Sequence, residues 1–134
     1  MSTEEHNLVL ILARGLASSI ATPMFLVDPG GTLVYYNEAA ETILGQTYAE
    51  AGEMEPDEWA TAFAPEDPDT GDKLDPHVLP LMVALSERRP AHRRMAITGM
   101  DQERRLINLT AFPLFARTDE FVGAVAIFWQ QDDE

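Results

Sequence analysis

Residues 23–45 read PMFLVDPGGTLVYYNEAAETILG, and this stretch decides the fold. Met24 to Val27 is a short apolar run that stops at Asp28. Pro29, Gly30 and Gly31 then supply a tight turn, since proline presets φ and glycine takes conformations other residues avoid. A second β-type run, Thr32 to Tyr36, returns, so the segment is expected to form a hairpin. Asn37 suits a helix N-cap because its short side chain can accept from the first-turn N–H groups. The helix is expected to run to Leu44 and close on Gly45.

Upstream, residues 7–21 carry a helical pattern. Leu8, Ile11, Leu12, Gly15, Leu16, Ser19 and Ile20 recur at spacings of three and four, and Asn7 precedes them as a cap. Val9, Leu10 and Ala13 widen this stripe, as expected of a helix that meets two surfaces. Pro23 ends it, because the proline ring cannot continue a helix.

Downstream, residues 46–76 are the least regular. Asp57 to Phe63 reads as a short helix with Pro56 near its start, and residues 64–76 as a polar loop crowded with turn residues. His77 to Arg88 is expected to form a longer helix, with Val78, Leu81, Ala84 and Leu85 on its buried stripe and Pro80 tolerated near its first turn. Strands are expected over 91–98, 104–115 and 121–130, joined by turns short enough for antiparallel hairpins. Strands grouped apart from helices imply an α+β layer rather than a parallel βαβ sheet.

Composition bounds the function. The 134 residues suit one domain with a true core. A net charge of -14 argues against nucleic-acid binding, which needs clustered Lys and Arg, and against adsorption to anionic membranes. It is expected to keep the domain in solution. There is no cysteine, which excludes disulfides, thiolate nucleophiles and Cys-based metal sites. No stretch approaches the ~20 apolar residues of a membrane span. Glu4 and Glu5 stand where a signal peptide would be basic, so a cytoplasmic location is expected.

Five motifs in order resemble the PAS domain family of sensory and interaction modules. They are the Asp28-Pro-Gly-Gly turn, the Tyr36-Asn37-Glu-Ala-Ala-Glu step from strand to helix, and the Pro80-Leu81 and Ala84-Leu85 pairs. Asn108-Leu-Thr-Ala-Phe-Pro113-Leu114 and Gly123-Ala-Val-Ala-Ile-Phe, from the late strands, complete the set. The resemblance implies a five-stranded antiparallel sheet with short helices on one face and an N-terminal flanking helix. It divides the chain into a flanking helix at 1–22, the domain at 23–130 and an acidic tail at 131–134.

Ligands of such domains, when present, lie between the inner sheet face and the long helix. Strand alternation, with Pro113 marking the register, implies that Ile107, Leu109 and Ala111 point inward. The same logic points Phe25, Val27, Leu33, Tyr35, Val125 and Ile127 inward, facing Leu81 and Leu85 of the helix. This interior is either filled by side chains or open to a small apolar molecule such as a fatty acid. The outer face is expected to carry Leu106, Phe112, Ala124, Ala126 and Phe128 with little that is polar, so something must cover it. The flanking helix, through Leu8, Ile11, Leu12, Leu16 and Ile20, is the expected cover. Together with Leu106, Phe112 and Phe128 it is the expected homodimer interface.

No cofactor is expected. The photochemistry of light-sensing relatives and the covalent chromophore of photoactive yellow proteins both need a cysteine, and Ile107 and Val125 stand where flavin-binding amides would be. Asp75-Pro-His77-Val78 resembles a haem-histidine segment, but His77 starts its helix two or three turns too early. The three histidines share no metal-ligand spacing. Asp67-Pro-Asp-Thr-Gly-Asp lacks the oxygen ladder and terminal Glu of a calcium loop. No P-loop, nucleophile elbow or nucleophile–base pair is present. The arginine pairs at 88–89, 93–94 and 104–105 are expected to be solvated or to meet acids of the chain or a partner.

The resemblance therefore implies a non-enzymatic signalling module acting on a protein partner or a fused output domain. A chain stopping just after the last strand fits either a piece of a kinase, cyclase or regulator, or a protein acting alone. A ketosteroid-isomerase-like enzyme on an α+β cone would need an inward Asp or Glu on a strand, and no strand in this register offers one.

Overall fold

The computed structural model describes residues 13–16, 20–116 and 119–131. Its centre is a five-stranded antiparallel sheet in the order β2-β1-β5-β4-β3. The strands are β1 (Met24–Val27), β2 (Leu33–Tyr36), β3 (Ala91–Thr98), β4 (Arg104–Phe115) and β5 (Phe121–Gln130). Between β2 and β3 come α1 (Glu38–Leu44), α2 (Tyr48–Ala51), α3 (Pro56–Ala62), a 3₁₀ turn (Pro76–Val78) and α4 (Pro80–Glu87). Residues 13–16 are helical. The rest of the expected 7–21 helix, with Leu8, Ile11 and Leu12, lies outside the described residues apart from Ile20 and Ala21, which are not helical.

The opening hairpin forms as its chemistry dictates. The Asp28 carboxylate accepts from Gly30 N and Thr32 N, each at 3.0 Å, an aspartate-built turn. Gly31 takes φ +90, and a Cβ there would meet the Pro56 ring at 2.8 Å. Asn37 is the N-cap of α1: its Oδ1 accepts from Ala40 N at 3.1 Å. Gly45 closes α1 in the left-handed region.

The expected long helix from His77 to Arg88 is broken in two. Proline disfavours the helical region for the residue before it, and Leu79 is extended ahead of Pro80. Pro80 then opens α4 at its first position. Val78 accordingly leaves the buried stripe and is exposed, whereas Leu81 and Ala84 are buried and Leu85 packs against them.

The sheet buries its two faces differently. On the helix side Phe25, Val27, Leu33, Tyr36, Ile107, Ala111, Ala124, Ala126 and Phe128 join one core with the helices. On the other side Met24, Leu26 and Val125 are buried, with Val34, Tyr35, Phe112, Leu114 and Ile127 packed around them.

These positions correct the expected alignment of β5 and part of β2. Cross-strand partners in an antiparallel pair share a face. Leu109 pairs with Phe128 and Ala111 with Ala126, so Ala124, Ala126 and Phe128 are inward. Val125 and Ile127 fall on the outer face, opposite Phe112 and Thr110. Phe128 is therefore a core residue, 2% exposed, not an outer-face one. Tyr35 also faces outward, because the β1–β2 ladder shifts register beside Val27. That shift leaves Leu33 and Tyr36 both inward, with Val34 and Tyr35 between them on the other face.

Candidate functional site

A cavity of about 70 Å³ lies between the inner sheet face and the helices. Its sheet wall is Phe25 of β1, Met95 and Ile97 of β3, Ile107 and Leu109 of β4, and Ala126 and Phe128 of β5. Facing them are Leu44 of α1, Trp59 and Phe63 at α3, Pro65, Leu79, and Pro80 and Leu81 of α4. Trp59 presents only its ring, because its Nε1–H donates to Gly31 O at 2.7 Å.

Every lining residue is apolar, so the wall offers no acid, base, nucleophile or metal ligand. A water needs about 10–15 Å³ of such space, so the cavity has room for roughly five water-sized atoms. Sites for drug-sized molecules run to about 300–1,000 Å³. A haem would also require an axial ligand at the wall. His77 is at the 3₁₀ turn instead, its side chain 90% exposed and its Nδ1 2.8 Å from the Asp75 carboxylate. The residues present do not fit that group.

Of the residues expected from sequence to line the interior, Phe25, Leu81, Ile107 and Leu109 meet at the cavity. Val27, Leu33, Leu85 and Ala111 join the surrounding core. Tyr35, Val125 and Ile127 are on the far side of the sheet. Trp59, Phe63, Met95 and Ile97 were missed. Trp59 and Phe63 are four apart at one helix, and Met95 and Ile97 alternate on one strand, so ordinary periodicity carried the signal.

Beside the cavity lies an aromatic cluster. Phe25 stacks on Tyr36 with ring centres 5.4 Å apart, and Tyr48 meets Tyr36 at 5.5 Å and Tyr35 at 5.6 Å. Tyr36 donates its hydroxyl proton to Gln46 O at 2.9 Å, and burial, helped by Glu41, pushes its pKa up to about 12. It stays neutral and structural at ordinary pH. The Arg14 guanidinium lies 4.5 Å from the Tyr35 ring centre, tying the helical residues 13–16 to the outer face. Ala13 and Ile20 pack on the same face, while Leu16 is 60% exposed.

Of the three arginine pairs, all but Arg88, which lies over the Phe121 ring at 4.6 Å, meet acids of the same chain. Arg105 forks onto Asp101 at 2.8 and 3.2 Å, and Arg93, Arg94 and Arg104 reach Asp67, Asp69 and Glu66. The Asp67 carboxylate accepts from Asp69 N and Thr70 N, and these bonds hold its pKa below the usual range. It is thus committed to shaping a turn. Among the described residues no group of three or more His, Asp or Glu side chains is placed to hold a metal. No helix among them is long and apolar enough to cross a membrane.

A five-stranded antiparallel sheet with short helices gathered over a small apolar interior is the α+β fold expected of a PAS domain, a signalling sensor module. The chain belongs to the PAS domain family, whose model matches residues 21–130. Three solved structures are similar to it in fold. The PAS domain of Bordetella pertussis BvgS is 14% identical, with a TM-score of 0.62 over 94% of this chain and 88% of that one. The PAS domain of nitrogen regulation protein NR(II) from Vibrio parahaemolyticus is 15% identical, with a TM-score of 0.61 over 90% of this chain and 98% of that one. The Rhodobacter sphaeroides LOV protein is 15% identical, with a TM-score of 0.69 over 90% of this chain and 66% of that one. No curated protein matches the sequence.

Proposed function

We propose that this PAS domain relays signals through protein contacts on the outer face of its sheet, as a homodimer, without catalytic chemistry of its own. The observation that carries the reading is the division of the N-terminal segment. Ala13 and Ile20 lie against the apolar cluster of Met24, Leu26 and Val125, while Leu16 between them is 60% exposed. A segment packed on one side that exposes a leucine on the other suits a second surface, supplied by another copy or by a signalling partner. A change in sheet or helices would shift the population of such pairs. Leu16→Glu tests this: light scattering should register a shift from dimer to monomer while circular dichroism is unchanged. An unaltered dimer would refute the role of the segment.

The cavity favours a second reading, a sensor for a small apolar molecule. Its volume of about 70 Å³ suits a guest of a few heavy atoms rather than an acyl chain. Native mass spectrometry of the purified domain tests it. Co-purified lipid would contradict the size argument, and the bare chain with xenon uptake by NMR would support it.

A further inference from the structure

Residues 64–79 leave the cavity wall at Pro65 and return to it at Leu79. The segment is organised within itself: Glu66 bridges Lys73, Asp67 N donates to Asp72 O at 2.8 Å, and Leu74 N to Pro65 O at 3.0 Å. Its two ends depart from helical backbone. Ala64 has φ 46, an uncommon conformation for a residue with a side chain, and Leu79 is the extended residue between the 3₁₀ turn and α4.

Leu74 and Leu79 pack on the core, and the segment's polar attachment to the sheet is narrow. Glu66 makes a two-bond bridge to Ala96 on β3, the sheet's edge strand, at 2.8 and 2.9 Å. Around that bridge three arginines of the β3–β4 hairpin face three acids of the segment. Arg104 Nε is 3.3 Å from Glu66, Arg93 Nη2 3.6 Å from Asp67 and Arg94 Nη2 3.9 Å from Asp69. All three pairs are partly open to solvent, a setting in which each is weak and salt-screened.

We infer that residues 64–79 are a hinged strap over the cavity, latched by the Arg93, Arg94 and Arg104 ion pairs, and that its release admits a small apolar guest. The inference rests on the sensor reading of the cavity and adds its control. The latch is electrostatic whereas the guest is apolar, so ionic strength would alter access without altering the walls.

The test compares the full chain with the triple variant Arg93→Gln, Arg94→Gln, Arg104→Gln. The Ala96 amide bonds to Glu66 O, so its hydrogen exchange reports strap opening. It should exchange at least about fivefold faster in the variant, as three exposed pairs together allow. The same should follow in the wild type on raising salt from about 0.05 M to about 1 M. Amides of the β4–β5 ladder should hold their rates. Xenon, a probe of apolar cavities, should enter faster in the variant with unchanged affinity, read on the Leu81 and Ile107 methyls. Equal Ala96 rates in both proteins, or exchange of Ala96 only together with the ladder, would overturn the latch. Faster exchange with an unchanged xenon on-rate would overturn the gate. No xenon shift at all, with Ala96 still accelerated, would sink the sensor reading and with it the gate, leaving the ion-pair attachment measured.

Discussion

The side-chain oxygen of Asn37 accepts the backbone N–H of Met24 at 3.0 Å while capping α1 through Ala40 N at 3.1 Å. One buried amide thus fixes the start of the first strand against the start of the first helix. Its Nδ2 donates to Thr22 O at 2.8 Å, so the same side chain also holds the chain as it leaves the N-terminal segment. Asn37 is 1% exposed, where an unsatisfied group costs most.

Asn37→Ala should therefore destabilise the domain by about 2–3 kcal/mol, the combined loss of a cap and a buried acceptor. Asn37→Asp keeps the acceptor but sets a buried carboxylate oxygen against Thr22 O, so it should not restore wild-type stability. Urea titration checks both. Equal stability of the alanine variant and the wild type would contradict the role given to this side chain.

Trp59→Phe should cost about 1–2 kcal/mol, because it leaves Gly31 O without the indole proton while keeping a ring in the cavity wall. The chain has two tryptophans, and Trp129 is 44% exposed whereas Trp59 is 6% exposed. Fluorescence of the variant should therefore shift to longer wavelength, reporting Trp129 alone. An unshifted spectrum would place Trp59 elsewhere than in the wall.

Asp101 sets part of the acid limit. Its hydrogen bonds from Arg105 first, and then from Glu103 N, hold its pKa below the ordinary 3.8. A carboxyl whose pKa is depressed by folding contributes its stability above the unfolded value and loses it as pH falls through the folded one. Wild type should thus exceed Asp101→Asn in urea midpoint near neutrality, and the gap should close below the ordinary 3.8. A gap that persists unchanged into strong acid would show that charge at Asp101 contributes nothing.

Strands and helices differed in how legibly the sequence announced them. The late strands ran as their β-rich, turn-bounded segments required, over Ala91–Thr98, Arg104–Phe115 and Phe121–Gln130. The facing of β5 was illegible, because Phe121 to Trp129 has no polar residue to mark which side is wet. Only pairing with β4 settled it, placing Phe128 in the cavity wall and Val125 on the outer face. In β2 the register shift carried Tyr35 outward, an irregularity that strict alternation cannot foresee. The α2 helix was overlooked although Thr47 and Glu50 form a capping box, since a helix of four residues leaves no periodicity to detect. The place of Leu79 in the cavity wall depended on its stepping out of the helix ahead of Pro80, a local effect whose consequence for burial is tertiary.

The account rests most heavily on relay through paired domains, and the solution mass tests that directly. Light scattering across a dilution series should give a mass near twice the 14.9 kDa of one chain, falling toward one chain only at the lowest concentrations. A mass of one chain throughout the series would contradict the homodimer.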